Sequence, residues 1–82
     1  MAEVKVYGAD WCPTTQSTLN YLDRLGIDYE YIDIEADPVA REWVRRQNGG
    51  KERKPTLDID GQILSEPSEE ELHEMLAATG KV

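Results

Sequence analysis

The stretch Glu3-Val4-Lys5-Val6-Tyr7-Gly8-Ala9-Asp10-Trp11-Cys12-Pro13-Thr14-Thr15 carries the chain from one periodicity to another. Val4 and Val6 fall on one side of an alternating run, and β-branched residues suit a pleated backbone, so Glu3 to Tyr7 is predicted as a strand. Pro13 has the fixed φ and the missing N–H that fit the first turn of a helix. Beyond it Leu19, Leu22 and Leu25 follow the helical repeat, Thr15 lies on the same stripe, and Gly26 can end the helix near Leu25. Thr15 is therefore expected to face inward. Cys12 stands at the junction, where the strand has stopped and the helix begins.

Outward from this unit, Asp28 to Ile34 carries Tyr29, Tyr31, Ile32 and Ile34, apolar enough on both sides for a strand covered on both faces, and a central position in the sheet is expected. Asp37 caps a second helix that Pro38 opens, with Val39, Ala40, Trp43 and Val44 as its buried face and Asn48-Gly49-Gly50 as its stop. Lys51-Glu52-Arg53-Lys54 contains no apolar residue and reads as a solvated loop that Pro55 ends. Strands at Thr56 to Ile59 and Gln62 to Leu64 flank Asp60-Gly61, the residue pair that a tight hairpin turn prefers. Ser68 and Glu71 form a capping box, Leu72, Met75, Leu76 and Thr79 mark the inner face of a last helix, and Gly80 terminates it. A strand-helix-strand unit gives a parallel pair and the hairpin adds antiparallel strands. The expected fold is thus α/β, βαβαββα, with a four-stranded mixed sheet and helices on both faces.

At 82 residues the chain has room for one compact domain, residues 1–82. Apolar residues make up 39% and form no run long enough for a bilayer span or a signal-peptide core, so a soluble protein is expected. The net charge of -8 opposes nucleic acid and anionic membrane surfaces as partners. It also opposes a thiolate, so any cysteine activation has to be local. A lone cysteine forms no internal disulfide, which makes the cytoplasm the expected location.

At a helix start, unpaired N–H groups and the positive end of the helix dipole point toward the Cys12 sulfur and favour the thiolate, the form that attacks disulfides. The alternative is an inert, buried cysteine. His73, between Leu72 and Glu74 with no second histidine nearby, is expected to be exposed and to bind no metal. Trp43 reads as core, whereas Trp11 adjoins the candidate nucleophile and can line its cleft.

Val6-Tyr7, Trp11-Cys12-Pro13, Asn48-Gly49-Gly50-Lys51, Pro55-Thr56, Asp60-Gly61 and Glu66-Pro67-Ser68, in this order and spacing, resemble the glutaredoxins, and most of all their mycoredoxin-like bacterial members. The resemblance implies a thioredoxin-like fold, with Pro55 in the cis form beside Cys12. It also implies thiol-disulfide oxidoreductase activity on disulfide-bearing proteins, with glutathione or a mycothiol-type thiol as co-substrate and no tightly bound cofactor. Cys12 would be the catalytic residue and Trp11, Pro13, Thr14, Lys54, Pro55 and Ser65 would contact the small thiol. A monomer is expected.

Two departures modify what the resemblance implies. Most mycoredoxin-like members carry Cys-x-x-Cys, and here Thr15 replaces the second cysteine. A hydroxyl cannot resolve a disulfide, so an external thiol must do so and only a monothiol route remains. Thr15 can serve that route by hydrogen-bonding the thiolate, or it can simply pack against Leu19. The family's usual basic residue followed by Thr-Val is here Glu52-Arg53-Lys54. The Lys54 backbone would still pair with the cysteinyl part of the small thiol and its ammonium could pair with the Cys12 thiolate, while Glu52 would face the ligand's carboxylate. Ser65 precedes the region that holds the γ-glutamyl end in glutaredoxins; a plain loop residue is the alternative. Two other functions fit the sequence: a binding module that has lost turnover, and a carrier of a [2Fe-2S] cluster, although Pro13 does not match the usual Cys-Gly-Phe-Ser of such carriers.

Overall fold

The computed structural model describes residues 4–82. Its elements are β1 (Val4–Gly8), α1 (Pro13–Arg24), β2 (Glu30–Asp33), α2 (Pro38–Gln47), β3 (Thr56–Ile59), β4 (Gln62–Ser65) and α3 (Glu69–Ala78). The order βαβαββα is the one expected; the predicted strand start at Glu3 lies outside the described residues. The four strands run β2-β1-β3-β4 across one sheet. β1 pairs with β2 in parallel and with β3 antiparallel, so Val6 is aligned with Tyr31 on one side and Leu57 on the other. The β3–β4 hairpin turns at Asp60 and Gly61, both at positive φ (51° and 88°), as a tight primed turn requires.

Strand β2 is an edge strand and not the central one. An apolar run on both sides reports that both faces of the sheet are covered, which holds for an edge strand once helices lie on each face; it carries no information about lateral neighbours. Val4, Val6, Leu57 and Ile59 pack on one face against Leu22 of α1 and Leu72 and Leu76 of α3. On the other face Ile34, Ala40 and Val44 form a smaller core under α2, with Tyr7, Ile32 and Trp43 against it. The Tyr7 and Trp43 rings stack at 4.4 Å between centroids.

Two residues assigned to buried faces are exposed. Leu25 is 38% exposed because α1 ends at Arg24 and Leu25 is its cap; the buried stripe is Thr15, Thr18 and Leu22. Val39 is 78% exposed, since a turn of ~100° per residue carries it off the Ala40–Val44 stripe. The caps are as expected: Asp37 accepts from the Ala40 N–H at 3.0 Å, and Ser68 with Glu71 closes a capping box on α3.

Helix α1 comes down very close to the end of β1. A Cβ placed on Gly8 would lie 2.6 Å from both Cγ2 and Oγ1 of Thr15, and Thr15 is fully buried. The Gly8→Ala variant is expected to lose ~1–3 kcal/mol by overpacking. The cost should shrink when Gly8→Ala is combined with Thr15→Ala. Urea midpoints at unchanged m-value measure both effects; equal costs in the two backgrounds would show that the contact is not what excludes a side chain at position 8.

Candidate active site

Cys12 is the N-cap of α1, with φ -78° and ψ 117°, and its own N–H donates to the Ala9 carbonyl at 3.1 Å. The second and third helical residues, whose N–H groups open toward an N-cap, are Thr14 and Thr15, and Cys12 makes no side-chain capping hydrogen bond to them. Cysteine in place of the usual hydroxyl or carboxylate puts sulfur at that focus. Burial pushes the Cys12 thiol up, but the N–H and hydroxyl of Thr15, followed by those of Thr14, outweigh it, and the pKa falls below its ordinary value. The activation is local and comes from neutral donors. Thr15 also accepts from the Ala9 N–H at 3.5 Å, so one side chain packs against Gly8, ties the loop before Cys12 to the helix and serves the sulfur.

On its other side Cys12 Sγ lies 3.9 Å from the Lys54 carbonyl oxygen. The Lys54-Pro55 peptide is cis, Pro55 is buried, and its carbonyl accepts from the Glu66 N–H at 2.8 Å. The Lys54 ammonium is turned elsewhere: it sits 4.8 Å from the centre of the Trp11 ring and 3.5 Å from Glu52 Oε1. It is not among the groups that lower Cys12, so the expected activation by this ammonium is replaced by the two threonines. Trp11 is 60% exposed and its indole N–H donates to Glu35 Oε2 at 2.7 Å, which fixes the ring beside Cys12.

The segment Lys51 to Lys54 is not simply a solvated loop. Glu52 keeps 17% of its side-chain exposure, with Oε2 accepting from Arg41 Nε and Arg45 Nη2, each at 2.8 Å. The hydrogen bond from Arg41 and, against the cost of burial, the one from Arg45 hold its carboxyl down at about 2. Arg53 pairs with Glu66 at 2.9 Å, and its carbonyl accepts from the Thr56 hydroxyl at 2.8 Å. Sequence reading missed Arg41, Arg45 and Glu35. The i, i+4 spacing of the two arginines, which sets them on one side of α2, was the available signal; nothing local marks Glu35.

Ser65 is exposed and aligned with Thr56, one residue past Pro55. Its hydroxyl donates to Asn48 Oδ1, and the Asn48 amide donates to the Val44 carbonyl at 2.8 Å and to Thr56 Oγ1 at 3.2 Å. The structure thus brings Trp11, Cys12, Pro13, Thr14, Thr15, Lys54 and Pro55 to one place, while the Ser65 hydroxyl is engaged in joining β4 to the end of α2. Near the site Tyr31 donates to Asp10 Oδ1 at 2.7 Å, and burial with that carboxylate raises the phenol above its ordinary value. A cysteine that is 8% exposed and sits as an N-cap between a helix start and the carbonyl before a cis proline has its thiolate favoured, the form that exchanges with a disulfide.

Residues 4–64 match the family model for glutaredoxin. Over 68 residues, 82% of this chain and 84% of the relative, the sequence is 40% identical to mycoredoxin 1 of Corynebacterium glutamicum. The crystal structure of a glutaredoxin from Archaeoglobus fulgidus superposes with a TM-score of 0.80 at 32% identity, covering 93% of this chain and 87% of that one. A mutant of the thioredoxin-like protein BC3987 superposes with a TM-score of 0.83 at 26% identity, over 94% of this chain and 97% of that one. With the sheet order, the cis proline and the capping cysteine already in place, these matches leave one conclusion: the chain has a thioredoxin-like fold and belongs to the glutaredoxin family.

Proposed function

We propose that the protein is a monothiol thiol-disulfide oxidoreductase in which Cys12 is the nucleophile and a small external thiol, glutathione or a mycothiol-type thiol, completes the cycle. The observation that supports this most is the seat of Cys12 as the N-cap of α1, with its pKa drawn down by Thr15 and Thr14. In the first step the Cys12 thiolate attacks the small-thiol sulfur of a mixed disulfide. The S–S bond breaks, the protein substrate leaves as a thiolate that takes a proton, and Cys12 holds the small thiol as a new disulfide. In the second step a free small thiol, as its thiolate, attacks that disulfide. Cys12 leaves as thiolate and the small molecule departs as its symmetric disulfide, so the two electrons given to the substrate come from the small thiol. With Thr15 in place of a second thiol, no internal disulfide competes with this step.

In this reading Thr15 and Thr14 stabilise the attacking and leaving thiolate, while Trp11 and the Lys54 backbone flank the attached group. Ser65 contributes by holding β4 against Asn48 rather than by direct contact.

Reduction of a glutathione or mycothiol mixed disulfide should be lost, to background, in Cys12→Ser. In the wild type the rate should depend on external thiol concentration until another step limits. A Cys12→Ser rate equal to the wild-type rate would overturn the assignment.

The pH profile of Cys12 alkylation gives a second check. Rate follows the thiolate fraction, so a lowered pKa places the midpoint below the ~8.5 of free cysteine. Removing the hydroxyl in Thr15→Val, at nearly constant shape, should move the midpoint upward, and Thr15→Ser should bring it back. A wild-type midpoint at the free value, with no adduct formed, would leave a binding module.

A further inference from the structure

The face of the sheet under α2 is only partly covered. Beside the stacked rings of Tyr7 and Trp43, a cleft of about 260 Å³ opens between β1, β2 and the start of α2. Its apolar lining is Tyr7, Ile32, Val39, Ala40 and Trp43, of which Val39 is 78% exposed. Its charged lining is Glu30, Asp37 and Lys5. Burial raises the pKa of the Tyr7 phenol, and the carboxylates of Asp58, Glu30 and Asp37 raise it further, so the potential at the phenol is negative even with Lys5 nearby. An apolar cleft of that sign fits a lysine or arginine side chain, whose methylenes cover apolar surface while the cation stays among carboxylates.

The cleft adjoins an open strand edge, because β2 pairs with β1 alone. The Ile34 N–H donates to the Gly8 carbonyl, so by alternation Ile32 and Glu30 also turn their backbone groups to β1, and the N–H groups of Tyr31 and Asp33 face outward. An extended segment laid along that edge would pair with those N–H groups and send alternate side chains to the Glu30–Ile32 side, over the cleft. A second copy of this chain does not suit the place. Residues 28–37 hold five carboxylates, Asp28, Glu30, Asp33, Glu35 and Asp37, and no basic residue. Antiparallel self-pairing about Tyr31 and Ile32 would set Glu30 against Asp33.

We propose that the β2 edge and the cleft beside it form a docking surface for an extended basic segment of a partner protein, with one lysine or arginine side chain lying over Val39 and Trp43 between Glu30 and Asp37. Cys12 and Lys54 do not line this cleft, so docking does not require the sulfur. The two places are connected through the sheet. Asp33, at the end of β2, is aligned with Gly8, the last residue of β1 before the loop that carries Cys12. One end of a segment held along β2 is therefore at the same end of the sheet as that loop.

The test is a titration of the isotope-labelled full chain, wild type and Cys12→Ser, with a blocked hexapeptide of alternating lysine and valine, followed by the amide and indole resonances. Signals of Tyr31 to Asp33, Val39 and the Trp43 indole should shift together and saturate with a Kd of about 0.1–1 mM in both proteins. The matching glutamate-valine peptide should produce no shift. Glu30→Gln should weaken binding roughly threefold, the size of one exposed charge pair, and Val39→Ser should do so to a similar extent. Both positions are exposed, so folding is not at stake. Glu70→Gln, the same charge change at an exposed position of α3, should leave the Kd unaltered.

A lysine-valine titration that does not saturate overturns the proposal, as do shifts centred on other residues. Equal weakening by Glu30→Gln and Glu70→Gln also overturns it, because net charge alone would then draw the peptide. Loss of binding in Cys12→Ser would assign the surface to the sulfur and not to the cleft. Shifts of these same resonances on concentrating the protein without peptide would make a second copy the occupant.

Discussion

Helix α1 reaches the end of β1 at a point where only a glycine leaves room for it, and the position of the reactive sulfur follows from that approach. Thr15 fills the space above Gly8, and its hydroxyl accepts the Ala9 N–H, so the loop between strand and helix is held at both ends. The helix therefore starts directly over the end of the strand, and the residue left at its N-cap is Cys12. β1 cannot shift beneath it, since β2 pairs on one side and β3 on the other. The same register does a second thing. Tyr7 is aligned with Thr56, so Pro55 and Lys54 arrive beside Gly8 and the Lys54 carbonyl comes to face the sulfur. Two segments far apart in the chain are brought to one atom by strand pairing and one close helix contact.

The segment before Pro55 has little apolar surface with which to fix itself, and charge does that work instead. Glu52 ties it to Arg41 and Arg45 of α2, Arg53 ties it to Glu66 beyond β4, and the Thr56 hydroxyl closes the turn on the Arg53 carbonyl. Isolated exposed ion pairs contribute little, but Glu52 is largely shielded and shared among three cations. In a chain of net charge -8 one might expect the thiolate to depend on those cations. The groups that lower its pKa are instead the N–H groups and hydroxyls of Thr15 and Thr14 at the helix start.

Most of the architecture was legible because its signals are local. The hairpin at Asp60-Gly61, the Asp37 cap, the Ser68–Glu71 box and the inward Thr15 each follow from a few adjacent residues. The place of β2 in the sheet was not legible, because residues 28–34 encode two covered faces and say nothing about which strands lie alongside. Leu25 and Val39 differ for narrower reasons: Leu25 keeps the helical spacing but lies one residue past the end of α1, and Val39 sits one residue off the Ala40–Val44 stripe. At the site, Cys12, Pro13 and Pro55 announce themselves by type and spacing. The Glu52 cluster does not, since a run of mixed charge such as Lys51-Glu52-Arg53-Lys54 looks the same in sequence whether it is solvated or locked to a helix several residues earlier.

Thr15 stands where a second thiol would give the protein an internal way to release its substrate. The position is fully buried, pressed against Gly8 and bonded to the Ala9 N–H, so a side chain there is held in one place. A hydroxyl gives up that chemistry, and here Thr15 instead helps to lower the Cys12 pKa. The proposed route therefore rests on one sulfur in place of a cysteine pair. The surroundings of that one sulfur are then the helix start on one side and the Lys54 carbonyl, before the cis proline, on the other.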